Sequence, residues 1–408
     1  MKPIVRAGRM KPVHSDIRGP LFVEAMKRQK QGIDILKLNT GNPATFGFGL
    51  PDSIKNALME HMQDGVGYCD FKGMPQARQA RQAICDYETS KGIKGITPDD
   101  VFIGNGVSEV VSFALTPLLN DGDEVLVPSP SYSLWGNSVY LEDGKPVFYT
   151  CDEQANWYPD IQDIRSKITD KTKAIVIINP NNPTGVLYPK EILLEIIQVA
   201  REFGLLIFAD EIYDRLVMDG KQHISLASLT EDVPVITLNG LSKSHCLCGY
   251  RCGWMVISGP RELTEDYRQG IIQLTSLRLC ANTMAQIVIP AALDDMETPA
   301  SMVRPGGRIY EQREATVREL EKIDGLSFVK NDAAFYVFPK LDVKKFNITN
   351  DKQFAHDLLD VTNILLVPGS GFDWKDPDHF RIVMLPQADI LSDAIRRMGT
   401  FLDGYKQK

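Results

Sequence analysis

The chain has 408 residues, 43% apolar and 24% charged, an ordinary balance for a globular protein and enough length for two or three domains of roughly 150 residues. Its net charge of −8, from 53 acidic against 45 basic side chains, lacks the basic surplus of a nucleic-acid binder. Seven cysteines at irregular spacing argue against a disulfide framework, and no run of about 18 apolar residues offers a membrane span. The N-terminal stretch MKPIVRAGRMKPVHSDIRGP is basic but has no apolar core for a secretory signal, so the expected compartment is the cytoplasm.

Taken along the chain, VFIGNGVSEVVSFALTPLLNDGDEVLVPSPSY (101–132) reads as an apolar strand, a glycine turn, a helix and a second strand with a proline-rich stop. KAIVIINPNNPTG (173–185) is a β-branched run that ends in turn residues. In LYPKEILLEIIQVAREFG (187–204), Ile192, Leu193, Ile196, Ile197 and Ala200 recur at helical spacing, with Gly204 at the expected C-cap. GLLIFADEIYD (204–214) and PVITLNGLSK (234–243) are two further apolar runs with polar ends. Strand, helix and strand with continuous apolar strands predict a βαβ unit in a parallel sheet covered on both faces. Composition shifts at DDMETPASMVRPGGR (294–308), which reads as a boundary region. Beyond it come a helix over 309–325 and strands over 334–341 and 379–385, a smaller α+β domain.

Polar clusters close three of these strands: Asn179–Gly185, Asp210–Tyr213 and Ser242–Lys243. Open α/β sheets bind ligands at that edge. Lys243 ends an apolar strand, where desolvation is expected to lower its pKa and free a neutral amine for a Schiff base with a carbonyl; a solvated surface lysine is the competing reading. Asp210 follows LLIFA at the lip of the core, where a carboxylate needs a donor or a cation; a helix N-cap is the alternative. Tyr213, three residues on, faces the same side of a helical turn and offers a hydroxyl, or packs in the core. Gly106, Val107 and Ser108 open a helix whose free N–H groups attract an anion, or form an ordinary glycine turn; Ser242 and Arg251 add side-chain donors suited to phosphate, with a surface ion pair the competing reading for Arg251. The two Asn-Pro steps around Asn182 make a stiff loop able to hold an amide over the sheet edge, or a simple turn. Tyr132 is placed to stack on a planar ring or to pack in the core, and helical spacing is expected to turn Trp135 aside. Arg381 interrupts the apolar HFRIVML; buried, it requires an anion such as a carboxylate, and on a wet strand face it requires nothing. His245 with Cys246, Cys248 and Cys252 lacks a second Cys-x-x-Cys or His pair, so these read as packing residues and no metal is expected.

NPNNPTG, ADEIYD, NGLSK and GYRCGW, in this order, resemble the class I aminotransferases of pyridoxal-phosphate fold type I, and the likeness runs along nearly the whole chain. DIRGP, KLNTGNPATFGF, GYCDFKG, IGNGVSE, LRLCAN, PGGRIYEQR and DHFRIVMLP are similar to segments of the bacterial alanine (glutamate–pyruvate) branch. The resemblance implies an α/β architecture with a large domain over 50–293, its mostly parallel central sheet flanked by helices, and a smaller α+β domain over 294–408 joined by an N-terminal arm, 1–49. It implies pyridoxal 5'-phosphate as cofactor, a homodimer with shared active sites, and amino transfer between L-alanine and 2-oxoglutarate, giving pyruvate and L-glutamate. Residue by residue, it implies Lys243 as the Schiff-base lysine, Asp210 on the pyridine nitrogen, and Asn182 and Tyr213 on the ring oxygen. Tyr132 would stack on the ring, and Val107, Ser108, Ser242 and Arg251 would hold the phosphate, with Tyr68 reaching across to the partner subunit's. Arg381 would clamp the substrate α-carboxylate, with Gly41 and Asn182 lining the pocket and Arg18 near its entrance.

Two departures, the cysteines of SHCLCGYRC and the His14-Ser15 pair where the alanine branch has an aromatic, bear on side-chain preference. An aspartate or aromatic aminotransferase and a pyridoxal-phosphate C–S β-lyase share the same anchors and stand as the alternatives. A non-enzymatic regulator of this fold would carry an N-terminal DNA-binding domain, and the likeness already begins by about residue 16, which is expected to leave no room for one.

Overall fold

The computed structural model describes residues 2–74 and 79–408. Among these, the dominant feature is an eight-stranded sheet. In chain order its strands are β1 (Val101–Asn105), β2 (Glu124–Ser129), β3 (Lys145–Asp152), β4 (Tyr158–Pro159), β5 (Thr172–Ile178), β6 (Leu206–Asp210), β7 (Val235–Gly240) and β8 (Cys252–Ser258). In space they run β1-β8-β7-β6-β5-β2-β3-β4. The central pairs β3–β2, β2–β5, β5–β6 and β6–β7 are parallel, while β8 lies antiparallel between β7 and β1 and β4 turns back on β3.

The apolar runs explain this arrangement. Ala174, Val176 and Ile178 of β5 pack on one face of the sheet with Phe208 of β6 and Ile236 and Leu238 of β7, while Ile175 and Ile177 join Ile207 and Ala209 on the other. A strand buried on both faces needs apolar residues at both phases of the two-residue period. The first face is covered by Val110, Val111 and Ala114 of α2 (Val107–Leu115) and the second by Leu193, Ile196, Ile197 and Ala200 of α3 (Lys190–Phe203). Helix α3 starts three residues later than the expected 187 because the residue before Pro189 is driven to extended backbone. It ends on Gly204 in the left-handed region, at φ 65°.

At one edge of the sheet stand Asn105, Ser129, Ile178, Asp210 and Gly240, the carboxyl ends of five strands, together with Cys252, where β8 begins. Here Gly104, Gly253 and Gly240 lie side by side in register across β1, β8 and β7. A Cβ at Gly253 would sit 2.3 Å from the Val107 backbone nitrogen, so these glycines let the first turn of α2 rest on the strands.

The chain ends meet in a second, smaller core. Leu36–Lys37 pairs in parallel with Ile364–Leu365, and Phe380–Val383 is the central strand of a three-stranded antiparallel sheet between Tyr336–Val337 and Val367–Pro368. The continuous strand expected over 334–341 breaks into Tyr336–Val337 and Lys340–Leu341, because Pro339 between them has no N–H for the ladder. The boundary region 294–308 contains the helix Glu297–Val303, held at its start by Asp295 accepting from the Thr298 backbone. No single helix among the described residues is long and apolar enough to cross a membrane.

Replacing Gly253 by alanine should destabilise the protein by roughly 1–3 kcal/mol, since the obstructing atoms are backbone and cannot yield like a flexible side chain. Urea unfolding of Gly253→Ala against the wild type measures this.

Candidate active site

Asp210 leaves β6 at the sheet edge with its side chain buried, 5% exposed. Its carboxylate accepts a hydrogen bond from the Trp135 indole N–H at 3.1 Å and a long one from the Ile212 amide at 3.4 Å. Among the described residues no lysine or arginine lies within ion-pair distance of it. Burial pushes its pKa up to about 6, against the pull of the Trp135 hydrogen bond. Trp135 corrects the sequence expectation: the helix Leu134–Leu141 turns the indole inward beneath Asp210. The signal was available, since a buried indole N–H needs an acceptor.

Lys243 sits in α4 (Leu241–Ser244), the single turn that follows β7. Its ammonium donates to the Gly41 carbonyl at 2.9 Å and lies 4.0 Å from Cys248 Sγ. Burial works to lower its pKa, but Tyr336, Cys248 and Tyr132 outweigh burial and hold it above the ordinary lysine range. The expectation of a depressed pKa is therefore corrected: the structure surrounds this amine with acceptors, which favour its charged form. Gly41 closes tightly over the site, since a Cβ there would lie 2.3 Å from the Tyr336 hydroxyl.

Tyr213, buried one turn after Asp210, shares a 2.9 Å hydrogen bond with the Tyr336 hydroxyl. Tyr336 in turn lies under Arg381, whose guanidinium stacks between the Tyr336 and Phe372 rings at 4.7 and 4.6 Å. Arg381 is 1% exposed, which excludes the wet-face reading. It donates to Asn182 Oδ1 at 2.9 Å and to the Asn39 carbonyl, its Nε has no partner, and no carboxylate among the described residues pairs with it. Burial lowers its pKa from the arginine range.

Asn182 spends its side-chain oxygen on Arg381, so its amide N–H groups are left to donate elsewhere. Its loop is held by Asn181, which donates to the Pro130 carbonyl at 3.2 Å, and by Gly185, whose φ of 70° and closeness to Asn331 require glycine.

Farther along the edge, Arg251 donates to Ser108 Oγ at 3.1 Å, the Asn105 carbonyl at 3.4 Å and the Cys248 carbonyl at 3.0 Å. It lies against Gly106, where a Cβ would meet its guanidinium at 2.3 Å. The amides of Val107 and Ser108 begin α2 and have no intrahelical acceptor. Ser242 precedes Lys243 in α4, its carbonyl accepting from the Cys248 thiol at 2.9 Å. Cys246 stands on the other side of Lys243 near Met302, and Cys252 is buried at the start of β8. Tyr132 lies at the opening, 38% exposed.

Two residues stand apart. Tyr68 is 83% exposed and bonds to none of the residues above. Arg18 is exposed on the turn Asp16–Arg18, beside Ile17, whose carbonyl accepts from Asn39 at 2.9 Å. Residues that the sequence reading missed are Trp135, Tyr336, Phe372 and Asn39. All four sit outside the strand-end motifs and reach the site through the fold.

The arrangement offers a buried acid without a cation, a buried cation without an anion, an amine bonded to the Gly41 carbonyl, and a separate cluster of donors at a helix N-terminus. These groups fit a bound molecule that carries a protonated ring nitrogen, a carbonyl and a phosphate, together with a carboxylate substrate.

Comparison with known proteins agrees with this chemistry. Residues 33–395 match the family model described as aminotransferase class I and II. The chain is 49% identical over 407 residues to glutamate-pyruvate aminotransferase AlaA of Haemophilus influenzae and 46% identical to that of Escherichia coli, covering 100% of both chains in each case. Among solved structures, an aminotransferase from Escherichia coli superposes with a TM-score of 0.97 at 46% identity over 100% of both chains. An alanine aminotransferase from Pyrococcus furiosus superposes at 0.92 with 40% identity, over 98% of this chain and 100% of that one.

The raised pKa of Asp210 has a direct consequence for stability. Below about pH 4 the carboxyl is protonated in both folded and unfolded states; between about 4 and 6 only the folded state keeps the proton, so stability falls as pH rises through that window. In protein stripped of small molecules, Asp210→Asn should abolish this loss, about 2–3 kcal/mol between pH 4 and 7. Urea unfolding of both forms across this range measures it.

Proposed function

The chain belongs to the class I and II aminotransferases, whose cofactor is pyridoxal 5'-phosphate, and we propose that it moves the amino group between L-alanine and 2-oxoglutarate, yielding pyruvate and L-glutamate. The observation that carries the choice of substrates is end-to-end identity of 46–49% with enzymes named for glutamate and pyruvate.

The residue roles form part of the proposal. Lys243 holds the cofactor's aldehyde, Asp210 pairs with its ring nitrogen, and Tyr213 and the free amide N–H of Asn182 donate to its ring oxygen. Tyr132 covers the ring. The amides of Val107 and Ser108, with Ser242 and Arg251, hold the phosphate. Arg381 takes the substrate α-carboxylate on the two aromatic faces that already fix its plane, and Gly41 and Asn182 line the pocket, with Arg18 at its mouth. When bound, the cofactor supplies an electron-withdrawing ring that accepts the electron pair released at the substrate α-carbon. The chain does the rest. Asp210, unpaired in its own fold, keeps a positive charge on the ring nitrogen. Arg381 would orient the α-carbon, and the Lys243 amine would take its proton as base and return one as acid.

We also infer a cytoplasmic homodimer in which the partner subunit's Tyr68 completes each phosphate site, and a small domain made of residues 1–49 and 294–408. In support of the dimer, Met59, Met62, Val66, Tyr68, Leu277 and Leu279 are exposed apolar residues on segments joined by the Thr283 bond to the Gly65 carbonyl. In support of the small domain, Leu36–Lys37 pairs with Ile364–Leu365.

Purified protein should be yellow and should form pyruvate from alanine only in proportion to added 2-oxoglutarate; release of pyruvate, ammonia and a thiol from a cysteine-type substrate with no acceptor would instead mark a β-lyase. Lys243→Ala should abolish transfer and the borohydride-fixed cofactor label. Arg381→Lys should lower kcat/KM for alanine by roughly 10²–10³, the cost of losing a paired fork in a buried site.

A further inference from the structure

Directly behind Asp210 and Tyr213 lies a buried ion cluster that the proposed reaction does not use. Its centre is Lys91, at the C-terminal end of α1 (Ala80–Ser90). The Lys91 ammonium lies 2.6 Å from Glu88, 2.8 Å from Glu211 and 3.2 Å from Asp214, all three of them buried. Glu211 follows Asp210 in the chain, and Asp214 follows Tyr213. Glu211 also accepts from the Ser225 hydroxyl at 2.8 Å and the Leu226 amide at 3.1 Å. Asp214 accepts from the Tyr87 hydroxyl at 2.5 Å and from Asn239 Nδ2 at 2.7 Å, and Asn239 stands four residues before Lys243. Glu88 takes the indole N–H of Trp254, the residue paired with Asn239 across β7 and β8. His223 faces Glu211 at 4.0 Å and bonds the Asn179 carbonyl at 3.2 Å, at the root of the Asn182 loop. Arg215 stacks on Tyr87 at 4.2 Å and donates to the Ala292 carbonyl.

Glu211, Asp214 and His223 present ligand atoms within 4.8 Å of one another, a spacing suited to a cation, and the Lys91 ammonium is the cation the chain supplies. Three buried carboxylates without it would repel one another and lose their common anchor. Burial works against the charge on Lys91, but Glu211, Glu88 and Asp214 outweigh burial and hold it firmly protonated.

We propose that Lys91 is a positioning residue for catalysis: its ammonium fixes the turn bearing Asp210 and Tyr213 through Glu211 and Asp214, and the turn bearing Lys243 through Asp214 and Asn239. The inference rests on the aminotransferase reading given above. It predicts a defect in turnover rather than in carboxylate binding, because Arg381 is held by Asn182, Asn39, Tyr336 and Phe372 and by no member of the cluster.

The test compares holoenzyme bearing Lys91→Met, Lys91→Arg and Asn239→Ala with the wild type. Three quantities are read: kcat and KM for alanine, the visible circular dichroism per bound cofactor, and the urea midpoint. Lys91→Met should lower kcat roughly 10–100-fold, as expected for a small misplacement of reacting groups, with KM changed less than about threefold. Its visible dichroism should change, and Lys91→Arg should restore both. Asn239→Ala, which cuts the link to the lysine turn and the Gly240 amide's bond to Asn239 Oδ1 but leaves the Lys91 ion pairs in place, should reproduce the kcat and dichroism changes even where Lys91→Met fails to fold. A lower urea midpoint with unchanged kcat and dichroism in the folded variants would overturn the proposal and leave Lys91 a purely structural residue. A wild-type protein that binds no cofactor would instead overturn the aminotransferase reading itself.

Discussion

The site is organised by a charge that the fold carries out of its core and leaves without a counter-ion. Strand β6 delivers Asp210 to the sheet edge in a buried position, and the nearest donors are neutral, an indole and a backbone amide. A carboxylate in that setting is costly while ionised, which is why its pKa rises to about 6. A cationic group brought to that strand end would remove this cost. Arg381 has the opposite problem in the same pocket, as a buried guanidinium whose partners are an amide oxygen and a carbonyl. The two unmet charges call for opposite partners, a cation at Asp210 and an anion at Arg381.

Holding those charges apart falls to elements that are not themselves chemical. The glycines in register on β1, β8 and β7 bring the start of α2 onto the sheet edge, and Gly106 leaves space for the Arg251 guanidinium. Gly41 allows the N-terminal segment to close over Lys243 and Tyr336. Arg381 enters from a different sheet, and its partner Asn39 belongs to a segment far away in sequence. Asp210 ends β6 and Lys243 lies in the turn directly after the neighbouring β7, so both are set by one sheet, whereas Arg381 comes from a separate one.

Much of this was legible in the residues. Runs such as AIVII and LLIFA, apolar at every position, indicate strands buried on both faces, and the polar groups that follow them must therefore lie on one sheet edge. Tyr336 and Phe372 were not legible, because a ring that stacks on a guanidinium looks in sequence like any other core aromatic. Trp135 was misjudged for a related reason: helical spacing says which residues share a face, but not which face meets the strand bearing Asp210. The direction of the Lys243 shift was also beyond the residues, since besides nearby Cys248 it depends on Tyr336 and Tyr132, which the fold brings in from far along the chain.

The sequence by itself determined the parallel sheet and the strand-end location of the polar clusters, because period, polarity and turn chemistry are local properties of the chain, and it left Lys243, Asp210 and Arg381 each with two readings. Only the tertiary structure decided which of those charges would be unpaired, since pairing depends on what approaches from elsewhere: an indole under Asp210, two rings around Arg381, and an ammonium behind the turn that carries Asp210 and Tyr213.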